Sequence, residues 1–159
     1  MPPGIPLNRP GIGFAIPQYY NRTVIPQASV RTLFSVPVPI FVPDPNIVPF
    51  MEHVTIEKKN GVAYSGSTST NLIIDAAYVG GGTVAALSLT QSLILGITAG
   101  KSTFRNFGGS DVGDYSTDPA TYQKYYQIRL SVAGSDFSAG TGDVIVEMYY
   151  SAVWKAVRF

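Results

Sequence analysis

Tyr126-Gln127-Ile128-Arg129-Leu130-Ser131-Val132-Ala133 and Asp143-Val144-Ile145-Val146-Glu147-Met148-Tyr149-Tyr150-Ser151-Ala152-Val153-Trp154 are the two runs that decide the fold. In the first, Tyr126, Ile128, Leu130 and Val132 fall on one face and Gln127, Arg129 and Ser131 on the other, which is the two-residue period of a strand. In the second, Val144, Val146, Met148, Tyr150, Ala152 and Trp154 share a face. Residues 134–142 between them hold three glycines and several small polar residues around Phe137, the composition of a turn. The two runs read as a long antiparallel hairpin. Its apolar face needs a second sheet, which the earlier residues must supply.

A chain of 159 residues makes one well-buried core and is short for two domains. Short strands between Gly, Ser, Asn and Asp clusters indicate an all-β sandwich or barrel. Eleven Lys and Arg stand against ten Asp and Glu, a formal charge of +1, so no field draws the chain to nucleic acid. Only 13% of residues are charged, about half the usual share, which suits a subunit covered by neighbours better than a free monomer. The absence of cysteine excludes disulfides and thiolate metal sites. Met1-Pro2-Pro3-Gly4 does not open a signal peptide. The apolar stretch 84–97 is broken by Ser88, Thr90, Gln91 and Ser92 and falls short of the ~20 residues a membrane helix needs. A soluble chain without a membrane partner is expected.

Eleven of the twelve prolines precede residue 50. Residues 1–30 are therefore expected to hold neither helix nor inner strand. They also carry Ile12, Phe14, Ile16, Tyr19, Tyr20, Val24 and Ile25, apolar side chains foreign to a solvated disordered tail. At ~3.1 Å per residue such a leader spans ~90 Å, against ~35 Å for a compact domain of the remaining size. The domain reading is an extended Pro-rich N-terminal arm over 1–30, with those seven residues binding a partner, and a sandwich over 31–159.

Within 33–42, Phe34, Val36, Val38, Ile40 and Val42 alternate with Ser35, Pro37, Pro39 and Phe41, an edge or broken strand. Residues 50–59 read as a strand with Phe50, Val54 and Ile56 inward and His53, Thr55 and Glu57 outward. Asn60-Gly61 suggests a tight hairpin returning through 62–64. Residues 71–79 are again strand-like, Gly80-Gly81-Gly82 a turn, and 83–97 a strand leading into a helical turn. Residues 101–120 read as long loops at one end of the sandwich.

Gly96-Ile97-Thr98-Ala99-Gly100-Lys101-Ser102 superficially resembles a phosphate-binding loop, but the first glycine is one position out of place and no helix start follows. Asp111, Asp114 and Asp118 share a Gly-rich loop that could hold calcium, without EF-hand spacing; solvated carboxylates are the plainer account. His53 is the only histidine, so zinc sites and most nucleophilic triads lack parts. Tyr19, Tyr20, Tyr122, Tyr125, Tyr126, Tyr149 and Tyr150 could build a stacking platform for sugar or single-stranded nucleic acid, though basic residues are not interleaved among them. Tyr126 and Tyr150 are expected in the core, Tyr125 and Tyr149 at a partner surface. No residue set announces catalysis or a cofactor.

Two segments carry a family resemblance. Val54-Thr55-Ile56-Glu57-Lys58-Lys59-Asn60-Gly61-Val62-Ala63-Tyr64-Ser65-Gly66 and Phe137-Ser138-Ala139-Gly140-Thr141-Gly142-Asp143-Val144-Ile145-Val146-Glu147-Met148-Tyr149-Tyr150 resemble small jelly-roll virion proteins of tailed bacteriophages, with a G-x-A-Y-x-G hairpin early and a G-x-G-D turn before a final strand ending in Tyr. The resemblance covers about residues 50–154 in outline and leaves the Pro-rich arm unmatched. It implies a jelly-roll-like antiparallel β-sandwich and a structural role in the virion, as a capsid decoration or cement protein, with no catalysis. The partners implied are a major capsid protein or neighbouring copies in a homo-oligomer, a trimer among the forms, assembled in the host bacterial cytoplasm. The alternatives are a carbohydrate- or receptor-binding module of a virion, a major coat subunit, and a hydrolase on a β scaffold.

Overall fold

The computed structural model describes residues 18–42, 47–69, 71–78, 83–90, 94–105 and 125–154. Among them are eight strands and one short helix: β1 (Gln18–Ile25), α1 (Gln27–Arg31), β2 (Val38–Phe41), β3 (Ile47–Lys58), β4 (Asn71–Tyr78), β5 (Thr83–Thr90), β6 (Gly100–Arg105), β7 (Tyr125–Val132) and β8 (Val144–Trp154). They form two four-stranded antiparallel sheets, β1-β8-β3-β6 and β2-β7-β4-β5, an all-β sandwich. The pairing is nested along the chain: β1 with β8, β2 with β7, β3 with β6 and β4 with β5. Among the described residues no helix is long and apolar enough to cross a membrane.

The two-residue period decides what is buried. Val144, Val146, Met148 and Tyr150 of β8 and Ile128, Leu130 and Val132 of β7 join Val54 and Ile56 of β3 and Leu72 and Ile74 of β4 in one core cluster. Each such large aliphatic contributes ~1.5–3 kcal/mol by leaving water. The inward row of β3 ends on Lys58, which is 1% exposed.

Several expectations are corrected. The runs 126–133 and 143–154 are not a hairpin, since β7 and β8 lie in different sheets. Alternation says which face is apolar but not which strand stands alongside. The link between them passes Gly134 at φ +89°, where a Cβ would come within 2.7 Å of the Ser69 backbone nitrogen, so only glycine fits. Residues 18–30, assigned to the arm, belong to the described fold. The stretch between Pro17 and Pro26 is free of proline and forms edge strand β1, and α1 follows Pro26 at the position where proline is tolerated before a helix. Residues 1–17 lie outside the described residues.

Asn60-Gly61 makes no hairpin either: the Gly61 and Tyr64 amides donate to the Thr98 and Leu95 carbonyls, so 61–64 runs beside 95–98. The strand expected from residue 83 is β5, residues 91–93 lie outside the described residues and 94–99 are turns and bends, whereas the first part of the expected 101–120 loop is strand β6. Only Val38–Phe41 of 33–42 is strand, an edge with its register shifted between Pro39 and Phe41; Phe34, Val36 and Val42 are exposed while Leu33, Ile40 and Phe41 are buried.

Candidate functional site

Two surfaces gather side chains capable of an interaction. The first is the outer face of the sheet β1-β8-β3-β6, where cross-strand register lays out rows. Tyr20 of β1, Tyr149 of β8 and His53 of β3 form one row; Arg22, Glu147 and Thr55 form the next; Val24, Ile145 and Glu57 the third. The Tyr20 and Tyr149 ring centroids are 5.0 Å apart, and the His53 and Tyr149 rings stack at 4.2 Å with 16° between planes. His53 and Tyr149 turn their faces to one another, while Tyr20 is tilted 50° from Tyr149. The Tyr20 hydroxyl donates to Glu147 Oε1 at 2.9 Å. Burial, reinforced by that carboxylate, pushes the Tyr20 pKa up to about 12. Arg22 approaches the same Glu147 oxygen at 3.6 Å. Below, Glu57 accepts from Lys59 at 2.6 Å and lies 3.8 Å from Lys101; the hydrogen bond from Lys59 lowers its pKa.

The second surface is the end of the sandwich where α1 and residues 59–69, 94–99 and 133–143 meet. Here the two segments that carry the family resemblance pack against each other. The Tyr64 hydroxyl donates to the Gly142 carbonyl at 2.7 Å, and the Thr141 amide donates to Val62 O. The Val62 amide in turn donates to Thr141 Oγ1 at 2.8 Å. Gly140, at φ +128°, passes under the Tyr64 ring so closely that a Cβ would stand 2.3 Å from it. Gly140 and Tyr64 thus have structural reasons to be where the motifs put them. Burial first, and the Asp143 charge second, push the Tyr64 pKa up to about 12.

Lys58 closes this end. Its ammonium donates to the carbonyls of Thr98 at 2.8 Å, Lys59 at 3.3 Å and Gly61 at 3.4 Å, so all three N–H groups have acceptors. It also lies 5.7 Å from the centroid of the Tyr64 ring, and desolvation lowers its pKa. Nearby, the Asp136 carboxylate accepts from the Phe34 and Ser35 amides and from the Ser35 hydroxyl, which lowers its pKa and holds Phe34, 50% exposed, at the surface. Val36, Val62 and Ile97 are exposed apolar residues of the same loops.

The seven residues offered to a partner fare differently. Ile25 is wholly buried in the chain's own core, which corrects its assignment to an arm. Tyr19 also turns inward and stacks on Tyr150 at 5.4 Å. Tyr20 and Val24 face outward. Ile12, Phe14 and Ile16 lie outside the described residues, as do Asp111, Asp114, Asp118 and Tyr122. Of the expected tyrosine platform, Tyr19 and Tyr150 lie on the inner face of the sheet and Tyr20 and Tyr149 on the outer one. Gly96–Ser102, the stretch like a phosphate loop, enters strand β6 rather than a helix. Among the described residues no three His, Cys, Asp or Glu side chains gather where a metal ion could sit.

The sequence reading missed the inward Lys58, and it missed Asp75 on the other sheet, 6% exposed. Asp75 accepts from Arg129 Nε at 2.8 Å and from the Ser131 hydroxyl at 3.1 Å. The signal for Lys58 was its parity with Val54 and Ile56. Comparison with known protein families, curated proteins and solved structures finds no match for this chain.

Proposed function

We propose that this chain is a structural subunit of a tailed-bacteriophage virion, a capsid decoration protein with a jelly-roll sandwich, fastened to neighbours through the residues upstream of β1. The observation that carries the reading is the nested pairing of first strand with last, second with seventh, third with sixth and fourth with fifth. A long two-limbed ribbon folded between β4 and β5 and then rolled gives this order, which is the wrapping of a jelly roll, an architecture used by viral capsid and lectin domains. Between those two uses, the aromatic row speaks against the lectin. Tyr149 and His53 spend their ring faces on each other, whereas a sugar needs an open face to stack on. A surface poor in charge, with Phe34, Val36, Val62 and Ile97 exposed at one end, fits a subunit whose exterior is covered on assembly.

Removal of residues 1–17 tests the attachment. The truncated chain is expected to keep its circular dichroism spectrum and melting temperature while losing occupancy on the particle. Full occupancy after truncation overturns the reading.

A further inference from the structure

We infer that β1 is a pairing edge for a second copy of this chain, the two β1 strands meeting antiparallel about a two-fold axis at Asn21. This rests on the reading of the chain as an assembling subunit and adds the surface and the partner. An edge strand exposes a row of unpaired backbone N–H and C=O groups, and folds that stay single blunt it with proline, charge, bulges or shortness. Among the described strands the edges are β1, β6, β2 and β5, and three of them are blunted. β2 has four residues, with Pro39 among them and a register shift. Its Ile40 carbonyl is already taken by the Asn21 side-chain Nδ2 at 2.6 Å and the Thr23 hydroxyl at 2.9 Å. β6 is six residues long and carries Lys101 and Arg105. β5 is interrupted by a register shift opposite Ile74 and Asp75. β1 alone runs eight residues in unbroken register on its neighbour β8. It contains no proline, and Pro17 and Pro26 mark where a ladder along it must stop.

The sequence of β1 also names the partner. Residues opposed across an antiparallel ladder share a face, so outer row meets outer row only if the two-fold passes through a residue and not between two. Two such axes give a ladder of seven residues inside β1. An axis at Arg22 sets Arg22 against its own copy, a like-charge pair directly opposed. An axis at Asn21 sets Tyr20 against Arg22 twice over, a cation beside an aromatic ring at each contact. It also places Val24, 48% exposed in the single chain, opposite Gln18. The only charge on the strand then meets a ring instead of itself. The interface is isologous and closed.

The test follows the full-length chain by analytical ultracentrifugation over a concentration series, beside Tyr20→Lys, Arg22→Glu and their mixture. Tyr20→Lys places a lysine opposite Arg22 at both contacts and is expected to weaken association at least tenfold with an unchanged circular dichroism spectrum. Mixed with Arg22→Glu, it is expected to recover as a heterodimer, because lysine at 20 then faces glutamate at 22. Val24→Asp, at an already exposed position, gives the same loss without touching the Tyr20 bond to Glu147. A wild-type chain that stays monomeric at every concentration overturns the inference, as does Tyr20→Lys associating like wild type or a mixture that fails to recover. Removing residues 1–17 separates the two readings: a dimer that survives with particle occupancy lost supports this interface, and a dimer lost only by that removal assigns association to the leader instead.

Discussion

The two sheets bury similar apolar rows but handle charge in opposite ways. In β1-β8-β3-β6, carboxylates stay on the wet outer face: Glu147 with Arg22 and Glu57 with Lys59 and Lys101, all partly exposed. Its buried charge, Lys58, is held by backbone carbonyls at the end of the sandwich. In β2-β7-β4-β5, an ion pair lies in the middle of the sheet, with the Asp75 and Arg129 side chains only 9% and 17% exposed. Ion pairs in water contribute little, whereas a buried one punishes the loss of either partner. Charge in the first sheet therefore dresses the surface and closes a loop end, while in the second it pins the register of β4 on β7, where Asp75 stands opposite Arg129.

The sharpest way to break the contrast is Arg129→Ala, which strands the Asp75 carboxylate. Denaturant unfolding is expected to show a loss of about 3–5 kcal/mol. A loss no larger than that of an exposed pair would remove the distinction between the sheets.

Next in size is Lys58→Met, which keeps the stem and removes the donors of three carbonyls. A loss of about 2 kcal/mol is expected. Its pH dependence carries a sign. Burial lowers the Lys58 pKa below 10.5, so between the lowered value and 10.5 the unfolded chain binds more protons, and wild-type stability gains as pH rises through that window. Lys58→Met should lack that gain in parallel melts.

The smallest effect belongs to Glu57→Gln, which dissolves an exposed pair and should cost no more than ~0.5 kcal/mol. Raising the salt to about 1 M, where screening acts within ~3 Å, should erase most of that difference. A larger, salt-resistant loss would place Glu57 with Asp75 rather than with the surface.

Legibility from sequence followed the range of the interaction. The period of 128–132 and 144–150 named the buried rows correctly, because side-chain direction along a strand is a local property. The partner of the two C-terminal runs was misread, because nothing local in Ile128 or Val146 says whether they face each other across a turn or across a core. The arm boundary failed for a related reason: prolines at 17 and 26 were counted as continuous punctuation, when the eight residues between them could pair with β8, more than a hundred residues away. Tyr20 and Val24 face outward from the sheet, while Ile25, named with them for the same apolar chemistry, was not separable from them without its register on Val144.

What the sequence alone determined is the all-β class, the apolar rows, the glycine-rich link at 134–142 and the sparse charge, since each follows from residue type and a two-residue period. Which strands adjoin and where Lys58 and Asp75 find their partners were decided only in three dimensions. Those depend on contacts between segments far apart in the chain, and the energy that selects among such contacts exists only once the two sheets have closed on one core.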